Sequence, residues 1–375
     1  MNAIRNNKLN IAFAIVISSF SAILWYIPTG FENPNLTEST DREKAEVIDA
    51  DNSDISVHGL VTVGTQEVTL LVKSGRYKGD TLKAENVLMG QMKIDKLFKT
   101  GDDVLAVIKR GKSGDIIEAR ADDLYRIDVI YILFFLFAIF LIGFARWTGF
   151  KALLSFVFTA LAIWKLLIPL FLKGWQPLLL SFVIVSAVTA VIILLITGFG
   201  KKGAVALSGS IAGIGITTLM ALIFGHFFRI PGTVLEYSET LLYAGFMNLD
   251  LSAIFISAIF ISAAGAVMDV AMDISASQNE LILKKPEMTT AELIKSGFHI
   301  AYPVIGTMTT TLLFAYSGSF MFVFMVFMAK GTPMVSIFNT NYIAAEILHT
   351  LVGSFGLVLV APITAIIGGY IYTKK

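Results

Sequence analysis

Apolar runs long enough to cross a bilayer recur along most of the chain, and one long polar block interrupts them. The runs cover residues 9–27, 129–145, 150–172, 178–197, 204–224, 251–271, 298–328 and 342–372. A helix spanning the hydrocarbon core needs roughly 17–25 mostly apolar residues, so the pattern predicts eight spans. The last two runs exceed one crossing. Tilt, a break at Pro303 and the glycine-rich end at Gly368 and Gly369 would absorb the excess. The first run follows a basic start with Arg5 and Lys8. A signal peptide cleaved at Ser21–Ala22 is the competing reading, but the apolar stretch continues through residues 23–27, which favours an uncleaved anchor.

The polar block, residues 29–128, has a different period. Short β-branched, partly alternating segments at 43–49, 56–63, 67–72, 81–87, 103–109 and 115–121 are separated by Gly/Asp-rich turns at 73–80, 100–102 and 110–115. Strands at this spacing predict a small antiparallel barrel or sandwich. The expected fold is therefore an α-helical integral membrane bundle of about eight transmembrane helices, with an all-β, barrel-like domain inserted between the first and second spans. Its parts are an anchor helix (1–28), a β domain (29–128) and a seven-span membrane domain (129–375).

Composition agrees with the pattern. The 375 residues are 55% hydrophobic and only 15% charged, against about 25% charged in soluble domains. Of 57 charged side chains (29 Lys+Arg and 28 Asp+Glu), 33 lie between Thr29 and Asp128. A soluble enzyme, a nucleic-acid-binding domain and a disordered chain are excluded. The net charge of +1 creates no bulk field for polyanions, and the absence of cysteine removes disulfides and thiolate chemistry. Lys and Arg in the short loops set the orientation. With a cytoplasmic N-terminus, Arg5, Lys8, Arg146, Lys151, Lys201, Lys202, Lys284, Lys285, Lys295, Lys374 and Lys375 fall inside, against Lys173, Arg229 and Lys330 outside. Both termini are then cytoplasmic and the β domain is extracytoplasmic.

Few ionisable residues remain in the spans, and charges there are costly enough to mark function or a helix contact. Asp269 and Asp273 are four apart, on one face of the sixth span. Counted from Leu251, Asp269 lies about 27 Å along the axis, toward the cytoplasmic mouth. The seventh span carries Thr307, Thr309, Thr310 and Thr311 just after Pro303 and Gly306, where a proline break would free carbonyls. Carboxylates, hydroxyls and carbonyls together suit a cation or a proton; interhelical hydrogen bonding is the plainer alternative. Glu346 and His349, three apart on the eighth span, read as a proton-sensitive pair or an interfacial ion pair. Lys165 reads as a snorkelling side chain. Gly209, Gly213 and Gly215 read as a packing face, and residues 232–245 as an amphipathic segment on the membrane surface. In the polar block, His58 reads as structural, and the basic turn at 73–78 as a solvated turn.

Three stretches, 264–275 (AGAVMDVAMDIS), 305–316 (IGTMTTTLLFAY) and 345–365 (AEILHTLVGSFGLVLVAPITA), resemble the YibE/F family of bacterial multi-pass membrane proteins. Residues 146–154 (RWTGFKALL) and 241–248 (LLYAGFMN) add to the likeness, which covers essentially the whole chain. The resemblance implies a protein of the bacterial cytoplasmic membrane and little specific chemistry. Its signature points to Asp269, Asp273, Gly306, Thr307, Thr309 and Glu346. The family pattern differs from this sequence in placing an amide residue where Thr310 stands, a basic one where His349 stands, and charges near Tyr302 and Pro303.

The functional expectation is a permease or proton- or cation-coupled carrier of unknown substrate, whose site draws on Asp269, Asp273, Thr307, Thr309, Thr310, Glu346 and His349. The alternative is a non-transporting envelope factor whose outer domain binds a lipid, polymer or protein. Enzymatic chemistry is not expected: the two aspartates share a helix and no HExxH pattern occurs. No span is Arg-rich, which excludes a voltage sensor. No cofactor is called for, the metal question stays open, and the expected partners are the bilayer and a small-molecule or ion substrate. Nucleic acid is not among them, and oligomerisation is left open.

Overall fold

The computed structural model describes residues 2–32, 40–111 and 115–374, with side chains from residues 8–32, 40–111, 115–318 and 320–374. The start of the polar block and the tip of the turn at 110–115 lie outside the described residues. The chain divides into two compact units, Gly30–Phe140 and Met1–Thr29 with Leu141–Lys375.

In the first unit, six strands form one sheet: β1 (Thr40–Asp51), β2 (Ile55–His58), β3 (Val61–Val72), β4 (Thr81–Met89), β5 (Asp103–Arg110) and β6 (Ile116–Leu124). Their order is β1-β5-β6-β4-β3-β2, and β1 also pairs with β3. That extra pairing closes a five-stranded barrel and leaves β2 as a flap on β3. Closure is uneven. The β3–β4 ladder runs from Val63↔Met89 to Leu71↔Thr81, whereas β4 and β6 share one parallel bridge, Glu85↔Arg120. The interior follows the period of two, with Ala45, Val47, Val68, Leu70, Val72, Ala84, Val104, Ala106, Ile108, Ala119 and Ala121 buried. So many alanines suit the tight space inside five strands. The segment expected as one strand at 56–63 is a hairpin that turns at Gly59, whose φ of +64° lies in the left-handed region.

At the barrel surface Lys44 bridges Asp103 at 2.9 Å and Asp128 at 2.7 Å, and Lys73 bridges Glu46 at 2.6 Å and Asp103 at 3.4 Å. The hydrogen bonds it donates to Asp128 and Asp103 hold the Lys44 ammonium well above the usual lysine range, and accepting from Lys44 holds the Asp103 carboxyl low. A lowered carboxylate contributes stability above its unfolded value, about 3.9, and loses it as pH falls through the folded one. A raised lysine contributes below about 10.4 and loses it as pH climbs further. Amide exchange in β1 and β5 of the intact protein should therefore be flat from about pH 5 to 9, after correction for intrinsic rates, and accelerate below about pH 4. An Asp103→Asn variant should lose most of the acid limb; an unchanged limb would remove this cluster as its cause.

The second unit holds the long helices. Seven helices in the chain are long and apolar enough to cross a membrane: α1 (Asn2–Tyr26), α2 (Ile127–Leu172), α3 (Pro177–Thr197), α4 (Lys201–Phe228), α5 (Leu251–Lys284), α6 (Thr290–Ser317) and α7 (Asn341–Thr373). This is a membrane protein. The runs expected as separate spans at 129–145 and 150–172 are merged in α2, which is 46 residues long. Its backbone leaves the helical region at Arg146 (φ 49°, ψ −122°). A Cβ on Gly149 would strike the Leu141 carbonyl, so the chain folds back sharply there. Farther along, α2 widens into a π-turn at Ile163–Leu167, where Lys165 Nζ donates to the Ile27 carbonyl at 2.9 Å. Lys165 thus caps the end of α1.

α4, α5 and α7 form the core of the bundle, meeting through Ile214, Phe260, Val267, Val270, Ile274, Leu357, Val360 and Ala361. Gly209 and Gly213 press against Thr364, Val267 and Val360, as a packing face requires, whereas Gly215 faces open space. α1, α2 and α3 share a second cluster around Leu24, Phe158, Leu161 and Val188. Residues 232–245 are not one amphipathic helix. They form a 3-10 turn (Gly232–Val234) and a six-residue helix (Ser238–Tyr243), with Gly232 buried against the start of α5.

Candidate functional site

α5 is the longest single apolar helix after α2, and Asp250 caps it by accepting from the Ala253 N–H at 2.9 Å. It continues to Lys284, thirteen residues past the end of the predicted run, so Asp269 is nineteenth of its 34 residues. Asp269 therefore lies near the middle of the helix itself, about 27 Å from its start. One side of α5 (Ala263, Val267, Val270, Ala271, Ile274) is buried in the core. Ser262, Gly265, Asp269 and Asp273 are exposed along another. At 100° per residue the three polar positions fall within about 40° of each other and span about 16 Å of axis. Neither aspartate has a hydrogen bond or ion pair among the described residues.

The top of this stripe is tied to two other helices. Tyr316 Oη on α6 donates to Ser262 Oγ at 2.9 Å. Ser262 Oγ lies 2.5 Å from His349 Nε2 on α7, and its hydroxyl is also 2.9 Å from the Ile259 carbonyl. The Tyr316 and His349 rings lean together with centroids 4.5 Å apart. Ser262 has a single hydroxyl proton for two acceptors, so toward Nε2 it is the donor or the acceptor according to the His349 tautomer. His349 is thus engaged with Ser262, and no ion pair joins it to Glu346 among the described residues; the paired reading of those two gives way to a Tyr–Ser–His chain.

The threonines behave differently from the sequence expectation. α6 runs unbroken through Pro303, which costs it a single donor while the neighbouring turns hold the helix. Thr307 donates to the Pro303 and Val304 carbonyls, Thr309 to Ile305, Thr310 to Gly306 and Thr311 to Thr307. Each hydroxyl spends its proton on its own helix. No hydrogen bond joins them to Asp269 or Asp273 among the described residues. No group of three or more His, Asp or Glu side chains there is placed to hold a metal ion.

Two cavities flank the stripe. One, of about 260 Å³, is bounded by Ser262, Gly265 and Met268 of α5, by Val185 and Thr189 of α3, and by Ile163 and Leu167 of the π-turn in α2. It reaches Met268, the residue before Asp269, while Asp269 itself does not line it. The other, of about 200 Å³, lies between the end of α6 and the start of α7 and contains Glu346 and Tyr316. Sequence reasoning missed Ser262, Tyr316 and the π-turn. Ser262 was accessible to it, since seven residues separate it from Asp269 and keep both on one face.

A YibE/F-like protein family matches residues 133–374, and a YibE/F family N-terminal domain matches residues 37–124. The chain belongs to the YibE/F family. The larger YibE/F match takes in the aspartates, the threonines, the Tyr–Ser–His chain and Glu346, and the smaller coincides with the barrel strands. No curated protein and no solved structure matches the chain.

Proposed function

We propose that this YibE/F protein is a proton- or cation-coupled carrier of the bacterial cytoplasmic membrane. In this reading the break at Arg146 separates two crossings within α2, which gives eight spans, cytoplasmic termini and an extracytoplasmic barrel. The observation that carries the proposal is the pair of partnerless carboxylates on the uncovered side of α5. A carboxylate at the centre of a bilayer-spanning helix costs on the order of 3 kcal/mol, and among the described residues no hydrogen bond or ion pair offsets such a cost for either aspartate. The cavity that reaches Met268, beside Asp269, gives an ion or solute somewhere to wait. Asp269 and Asp273 bind the coupling ion, and the Tyr316–Ser262–His349 chain links α5 to α6 and α7, so a change at the carboxylates is felt by both neighbours.

Solid-supported-membrane electrometry on proteoliposomes tests this, using pH jumps, alkali cations and small amines as the challenges. The expected result is a transient current that Asp269→Asn abolishes. Equal currents in wild type and variant would remove the aspartate site, and the absence of any current would remove the carrier reading.

A further inference from the structure

The second cavity has a composition of its own. It is an open cleft of about 200 Å³ lined by Tyr316, Phe320, Phe324 and aliphatic side chains, Leu313 and Leu351 among them half-exposed, with hydroxyls from Ser317 and Thr350 and a single carboxylic acid, Glu346. No Lys, Arg or His lines it. Glu346 has no hydrogen bond or ion pair among the described residues, and the nearest candidate counter-ion in sequence, His349, is occupied with Ser262. An apolar, aromatic cleft thus holds one carboxyl group, with no cationic side chain against it among the described residues.

We infer that this cleft is a binding site for a small hydrophobic organic cation, such as an arylalkyl ammonium. The carboxylate and the aromatic faces both favour positive charge, while the walls favour an apolar frame. A bare inorganic cation would lack the six to eight oxygen ligands that calcium takes or the octahedral shell of magnesium. An anion would meet Glu346 unfavourably. An acyl chain could line the walls but would leave the carboxylate unanswered. The volume lies below the 300–1,000 Å³ of drug-sized pockets, which limits the ligand to about one ring and its ammonium group. The inference rests on the carrier reading only for passage across the membrane, where it supplies the substrate class; binding stands by itself.

Equilibrium dialysis of the full chain in nanodiscs, against empty nanodiscs, separates these points. The probe is benzyltrimethylammonium, and phenylmethanesulfonate of similar shape and opposite charge is the comparison. Saturable binding of the cation alone is expected, weakened at least about tenfold by Glu346→Gln. Leu313→Trp, at an exposed position on the cleft wall, keeps the charge and fills the space, so it should abolish binding without burying anything new. Equal uptake of cation and sulfonate, or wild-type binding in both cleft variants, would overturn the inference. Binding without any electrometric current would leave the site standing and remove the carrier reading alone.

Discussion

Replacing Gln66 with leucine should destabilise the barrel by about 3 kcal/mol, one of the two largest effects expected of any single change in this protein. The Gln66 side chain is fully buried and uses its amide completely. Nε2 donates to Asn52 Oδ1 at 2.7 Å and to the Phe98 carbonyl at 2.8 Å. Oε1 accepts from Asn86 Nδ2 and from the Phe98 N–H, both at 3.0 Å. The amide thereby pins Phe98, which is 2% exposed and packs into the barrel core. Leucine matches the volume but leaves the Phe98 N–H and C=O buried without partners, at about 1–3 kcal/mol each, less the gain from a more apolar side chain. The four tryptophans, Trp25, Trp147, Trp164 and Trp175, all lie outside the strands, so fluorescence would not report the loss. Hydrogen exchange of peptides from β4 and β5 in the intact protein would, with protection falling about a hundredfold. Undiminished protection would mean that Gln66 is not what holds Phe98.

The second large effect belongs to the membrane core. A Cβ on Gly213 would come within 2.5 Å of Val267 and 2.9 Å of Val360. Those valines are fully buried, sit on two different helices and have branched side chains that cannot swing aside. Gly213→Leu should therefore cost about 3 kcal/mol or prevent α4 from seating between α5 and α7. Gly215, two residues on, faces open space, and Gly215→Leu should stay within about 0.5 kcal/mol of wild type. Thermal melting followed by size-exclusion chromatography in detergent compares the two. Equal melting would contradict the packing of α4 as described.

Much of this architecture was legible in the sequence because bilayer-length apolar runs and period-two alternation are both strong signals. The strands at 81–87 and 103–109 and the helices at 178–197 and 342–372 lie within a few residues of the structure's own limits. The difficulties arose where a local signal competed with its surroundings. Gly59 turns the chain inside a stretch whose hydrophobic residues, Val57, Leu60, Val61 and Val63, read as one strand. Pro303 suggested a break, but one missing N–H does not outweigh the hydrogen bonds of the turns on either side. The apolar run ends at residue 271, whereas small and helix-favouring residues carry the α5 helix on to Lys284.

The candidate site was half legible for a related reason. Spacing reveals which residues share a face of one helix, so Asp269 and Asp273 were found together. It does not reveal which faces meet, so His349 was matched with Glu346 on its own helix when its partner is Ser262 on another. The threonines were grouped by proximity in sequence, yet each closes a hydrogen bond locally and none reaches the aspartates.

The π-turn at Ile163–Leu167 also fixes the residue count of α2. A π-turn carries one residue more than the α-helical turn it replaces, and Lys165 sits in that surplus. Removing one residue at this point would restore a regular α-helix with its flanks close to their present register, because the wide turn already absorbs the extra residue; it would take Lys165 away from the Ile27 carbonyl and change how Ile163 and Leu167 meet the cavity they border. The length of this stretch is thus tied to the shape of that cavity: a deletion or insertion at the wide turn would alter the space beside Ser262 and Gly265 without changing any residue that touches α5.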